Sequence, residues 1–124
     1  MTRITLIAAG GATGSVLRYW LANGVHKFMN GDFPYGTLVV NILGSLIIGS
    51  LYVLLYERLD VSPEWRALLI IGLLGGFTTF SSFSIETMNL IEAGEQLKAG
   101  FNVLLSVSLC ISACWFGMVM ARQL

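Results

Sequence analysis

Residues 75–84 read GGFTTFSSFS and stand inside an apolar run from 65 to 91. Two adjacent glycines, two threonines and three serines are unusual choices for a membrane-crossing helix, and three phenylalanines alternate with them at three-residue spacing. Glycine costs about 1 kcal/mol relative to alanine inside a helix and threonine is also a weak former, so 75–79 is where a helix here would most easily break. The run exceeds the roughly 20 residues that a bilayer core requires, and its midpoint falls near Thr78, so the break is expected at mid-bilayer. Unwound backbone is tolerated at that depth only where protein buries it or where it lines an aqueous cavity. Discontinuous membrane helices present freed carbonyls to cations and N-terminal amides to anions. A glycine notch for close helix crossing is the competing explanation.

The surrounding chain has 124 residues, of which 56% are hydrophobic and 11% charged. Soluble domains carry roughly 25% charge, so this is the composition of a membrane protein. Four apolar runs, 4–22, 37–56, 65–91 and 101–121, are separated by short polar turns bearing Pro34, Pro63 or paired glycines. The expectation is an all-α membrane protein, a single four-helix domain over residues 1–124, with the third helix broken. The apolar N-terminus lacks a basic cluster and precedes three further runs, so it reads as a retained helix and not a signal peptide. Four thin helices fill their own centre with side chains, so a transport route needs a partner. If the termini share one side, that side carries Arg3, Arg58, Arg66 and Arg122, and the other carries Lys27 and Lys98 with Arg18 just inside. This bias is too weak to fix orientation, and such a chain can insert either way up.

Catalysis and metal chemistry find little support in the residue inventory. A single loop histidine, His26, and no acid pair in the apolar runs leave no nucleophile with its base. Cys110 and Cys114 lie one turn apart, a poor geometry for a disulfide, and read as small packing residues.

Small residues recur at four-residue spacing in each run, which brings helix backbones together where lipid offers no hydrophobic drive. Three of these stripes carry polar groups: Gly10, Gly14 and Arg18; Asn41, Ser45 and Gly49; Asn102, Ser106 and Cys110. In the third run Phe77, Phe80 and Phe83 form one stripe, and Thr78, Ser81 and Ser84 the next. Ring edges are positive and hydroxyls donate, so the two stripes together suit an anion. Alternatively the rings are core and the hydroxyls bond to their own helix. At 1.5 Å per residue, Arg18, Asn41, Ser106 and Phe83 fall at one depth, about 6–12 Å from the surface opposite the termini. An intramembrane charge is a functional candidate by default. Glu86 reads as a carboxylate at the mouth.

GGATGSVLR in the first run, GTLVVNILGS in the second, GGFTTFSSFSIE in the third and a serine-bearing fourth helix together resemble the small Fluc (CrcB) fluoride channels of microbial membranes. The resemblance covers nearly the whole chain. It implies an antiparallel, dual-topology homodimer of oppositely inserted subunits in a bacterial cytoplasmic (inner) membrane, with no nucleic-acid partner. It further implies two fluoride routes along the dimer interface and passive fluoride export that relieves toxicity. By resemblance Phe80 and Phe83 present ring edges to fluoride, Asn41 and Ser106 reach the route, and Thr79, Ser81 and Ser84 belong beside it. Arg18 and Glu86 fall to the vestibule, and the carbonyls of Gly75 and Thr78 to a structural sodium ion (Na+). Cys110 and Asn102 depart from family members that carry serine and tyrosine there. A proton-coupled multidrug exporter of four-span type is the alternative, but it needs a buried acid in the first helix, where this chain has Arg18.

Overall fold

Proline and glycine mark where the helices stop. The computed structural model describes residues 2–124, which form four long helices and, among the described residues, no strand. Helix α1 is Thr2–Phe28. Pro34 precedes α2, Tyr35–Arg58, whose last turns, Val53–Arg58, widen into π geometry. Pro63 opens α3, Pro63–Glu92, at a first-turn position where its missing N–H costs nothing. Gly94, at φ 82°, makes the left-handed turn before α4, Gln96–Arg122. Helices α2, α3 and α4 are 24, 30 and 27 residues long and apolar enough to cross a membrane. Helix α1 has the length, 27 residues, but Gly10, Gly11, Thr13, Gly14, Ser15 and Arg18 dilute its apolar character.

The break in α3 falls on two threonines. Thr78 (φ −88°, ψ 158°) and Thr79 (φ −152°, ψ 118°) are extended, while Gly75–Phe77 stay helical. The Thr78 N–H and hydroxyl both donate to the Leu74 carbonyl at 3.0 Å and close the first half. Thr79 then caps the second half, Phe80–Glu92, by accepting from the Ser82 N–H at 3.1 Å, the usual work of a threonine at a helix start. Two extended residues reset the helical period, which corrects the expected stripes. Phe77 and Thr78 belong to the first half and do not continue into Phe80, Phe83, Ser81 and Ser84.

The glycines serve the close crossings instead. A Cβ on Gly14 would lie 2.0 Å from the Leu73 carbonyl oxygen, and one on Gly76 would lie 2.5 Å from that of Gly11. Helix α1 and the first half of α3 therefore touch backbone to backbone. The same holds for α2 and α4, where a Cβ on Gly49 would meet the Cys114 oxygen at 2.1 Å and one on Gly117 the Leu46 oxygen at 2.3 Å. Such contact maximises dispersion where burial gains nothing from lipid. Notch and break thus coexist in one segment, glycine supplying the first and threonine the second.

Charge pairs hold the two ends. Arg122 bonds both oxygens of Glu57 at 3.1 and 2.9 Å, and Arg58 bonds the Arg122 carbonyl at 2.8 Å and the Leu124 oxygen. On the opposite end Lys98 meets Asp32 at 2.6 Å and holds that carboxyl below the usual carboxylate range.

Candidate functional site

The site begins with the backbone that the break releases. An unbroken helix would send the Thr79 N–H to the Gly75 carbonyl and the Ser82 N–H to that of Thr78. Both donors are diverted: Thr79 N–H goes to Asn41 Oδ1 at 2.8 Å, and Ser82 N–H to the Thr79 hydroxyl. Gly75 and Thr78 are thereby left with carbonyls stripped of their helical donors.

Asn41, from α2, completes the brace. Its Nδ2 donates to the Thr79 carbonyl at 3.0 Å while its Oδ1 accepts from the Thr79 N–H, so one side chain pairs with one residue as a neighbouring strand would. One N–H and one lone pair of the amide remain available. Arg18, from α1, makes the third attachment: Nε donates to the Gly76 carbonyl at 3.1 Å. Its positive charge thus lies at the carbonyl end of the first half of α3, where the helix dipole is negative. Arg18 is half-buried at the break and does not line the cavity between α2, α3 and α4.

That cavity has a volume of about 460 Å³. Asn41, Thr79, Phe80, Phe83 and Ser106 line it, with Gly75 and Thr78 on the same wall. Among the described residues no charged side chain belongs to its lining. The Phe80 and Phe83 rings stand 5.2 Å apart at 44°. Phe83 is buried, whereas Phe80 is 77% exposed on the open side of the cavity.

Ser81, Ser84 and Glu86 are placed elsewhere. Ser84 donates to the Phe80 carbonyl at 2.9 Å, the local alternative open to any helical serine. Ser81 meets the Thr79 hydroxyl at 3.3 Å on an exposed face. Glu86 Oε2 accepts from the buried Thr37 hydroxyl at 3.0 Å, and its Oε1 is buried without a hydrogen-bond partner.

A polar ladder leaves the cavity along α4, unanticipated beyond Ser106. Ser106 approaches Asn102 Oδ1 at 3.5 Å, Asn102 Nδ2 donates to the Thr87 hydroxyl at 2.9 Å, and Thr87 donates to the Phe83 carbonyl at 2.7 Å. Asn102 is 2% exposed and Thr87 is buried. The stripe of Asn102 and Ser106 carried part of this signal. Thr87, four residues after Phe83, carried none without its partner.

Comparison with known proteins places the chain in a family. The family described as "CrcB-like protein, Camphor Resistance (CrcB)" matches residues 5–118. Over 122 residues, covering 98% of both chains, the protein is 53% identical to the "Fluoride-specific ion channel FluC" of Coxiella burnetii (strain Dugway 5J108-111). It is 49% identical over 124 residues, the full length of both, to the protein of that name from Geobacter sulfurreducens. A third of that name, from Methylococcus capsulatus, is 49% identical over 118 residues, 95% of this chain, and this chain spans about half of its length, 52%. A family match over most of the chain, joined to full-length identities near one half, shows that the chain belongs to the CrcB-like family.

Proposed function

We propose that the protein is a fluoride-selective passive ion channel of a bacterial inner membrane. The reading is carried by one observation: the cavity collects an amide, hydroxyls and two phenyl rings from three helices and includes no charge. Fluoride holds its water tightly, so a selective route must return hydrogen bonds or equivalent dipoles at each step. Asn41 and the hydroxyls of Thr79 and Ser106 can donate, and the edges of Phe80 and Phe83 can present their positive rim. Full charges in the lining would trap the ion, and conduction needs binding weak enough for release. Arg18 draws anions toward this level from outside the lining, its terminal guanidinium nitrogens being free of partners among the described residues. The ladder of Ser106, Asn102 and Thr87 continues the route in hydroxyl and amide groups.

All four helices cross the bilayer in this account, α1 included, because α1 has the length and its glycines grip the first half of α3 backbone to backbone. The subunit pairs with a second copy inserted the opposite way. Extended backbone at mid-bilayer has to be covered by protein, and the cavity wall with the exposed Phe80 ring is open in the single chain. A structural Na+ suits the carbonyls of Gly75 and Thr78, since both lack their helical donors and hard cations prefer oxygen ligands. Such an ion would fasten the broken segment without taking part in the passage of fluoride.

Export needs no coupling. Fluoride enters from acid surroundings as neutral HF, ionises in the cytoplasm and is trapped, and an inside-negative potential drives the anion out with about 2.3 kcal/mol per 100 mV. In liposomes loaded with fluoride, purified protein should release it only when an ionophore carries compensating charge. Release tied to a proton gradient, or none, would defeat the proposal and return the exporter or a purely structural role.

A further inference from the structure

The geometry points to Arg18 as the group that sets how tightly the break holds its cation; this rests on the proposed sodium site. Of the carbonyls that end the first half of α3, three meet different fates. That of Leu74 accepts from Thr78 twice, that of Gly75 has lost its donor to Asn41, and that of Gly76 accepts from Arg18 Nε at 3.1 Å. Arg18 therefore occupies a carbonyl between the two sodium candidates, Gly75 and Thr78.

Occupancy and charge act in the same direction. The guanidinium takes up one lone pair of an oxygen that a small hard cation could otherwise use, and so weakens it as a ligand. It also places a fixed positive charge beside the Gly75 peptide, because neighbouring residues are only about 3.8 Å apart along the chain. Two unit charges about 6 Å apart, at an effective dielectric near 20, weaken cation binding by roughly 100-fold. Among the described residues Arg18 has no carboxylate within salt-bridge distance to offset this charge. Asn41 and Arg18 thus have opposed effects on the cation, Asn41 releasing a carbonyl to it and Arg18 weakening one. Arg18 is a positioning residue in this role, acting on the cation through Gly76 and through its charge.

The test is a sodium titration of thermal stability on the full-length protein in detergent, at constant ionic strength held with a bulky organic cation. A ligand that binds only the folded state raises the midpoint in proportion to the logarithm of its concentration above Kd. The wild type should gain stability with sodium. In Arg18→Gln, which removes the charge and the fixed donor, the sodium concentration that first stabilises should fall by about tenfold or more. Arg18→Met, which also lacks the charge but keeps the aliphatic stem, should move with it. Arg18→Lys keeps the charge without the planar donor and should stay close to the wild type. If loss of the helix brace were the whole effect, lysine, glutamine and methionine would shift alike, and that result overturns the inference. Weaker or unchanged sodium binding in both neutral variants overturns it as well. A wild type indifferent to sodium removes the sodium site itself, a failure distinct from a responsive wild type with unresponsive variants.

Discussion

Replacing Asn41 by aspartate changes one atom of the brace and tests two roles together. The new carboxylate keeps the acceptor for the Thr79 N–H, now at 2.8 Å, but sets an oxygen where Nδ2 donated to the Thr79 carbonyl at 3.0 Å. One hydrogen bond is lost, a cost of about 1 kcal/mol, and the Thr79 carbonyl faces a negative oxygen. The larger effect is on the cavity, because Asn41 lines it. A charge about 5 Å from a passing anion, at an effective dielectric near 20, opposes it by about 3 kcal/mol, or roughly two orders of magnitude in occupancy. Fluoride efflux from proteoliposomes at alkaline pH should fall by about that factor. On acidification the protonated carboxyl resembles the amide and again donates to Thr79, so efflux should recover, after subtraction of HF leakage through empty liposomes. Wild-type efflux from Asn41→Asp at alkaline pH would refute the placement of this side chain on an anion route.

Phe80→Ile and Phe83→Ile should each slow fluoride efflux while leaving assembly intact on a sizing column, since isoleucine fills space without a positive rim; unchanged flux in both would remove the rings from the mechanism. Gly49→Ala should lower the thermal midpoint by the equivalent of about 1–3 kcal/mol, because its Cβ would lie 2.1 Å from the Cys114 carbonyl, and backbone cannot give way. Gly100→Ala, within the same packed pair but with nothing within 4 Å of its Cβ, should instead stabilise by about 0.5–1 kcal/mol, and equal effects at both sites would discredit the crossing. Asn102→Val should cost stability by about 0.6–2 kcal/mol through its lost bond to Thr87 and slow efflux along the ladder; a neutral outcome in both would make the ladder incidental.

Helix number, the broken third helix and the participation of Phe83, Asn41 and Ser106 in one cavity were legible because each leaves a local mark: apolar length, weak helix formers at mid-run, polar residues at matched depth. The break falls within the expected 75–79, but which residues of that stretch would open was not legible. Gly75 and Gly76 are the poorer helix formers, yet the chain opens at Thr78 and Thr79, because α1 needs Gly76 for contact and Thr79 can cap the second half of α3. Those two extended residues uncoupled Phe77 and Thr78 from the stripes they were expected to continue. Arg18 was read by its depth, its stripe with Gly10 and Gly14 and the resemblance, whereas its long side chain reaches the Gly76 carbonyl, a reach that spacing along α1 does not encode. The pairing of Asn102 with Thr87 joins residues on different helices, and only the packed structure brings them within 2.9 Å.

The most direct test of the account is the relative permeability of fluoride and chloride through the purified protein, measured as the reversal potential across a planar bilayer with opposing gradients of the two salts. A lining of neutral dipoles closed around a small ion predicts a potential set by fluoride alone. A potential that follows chloride equally would contradict it, because the Phe80, Phe83, Asn41 and Ser106 wall would then not distinguish the smaller halide.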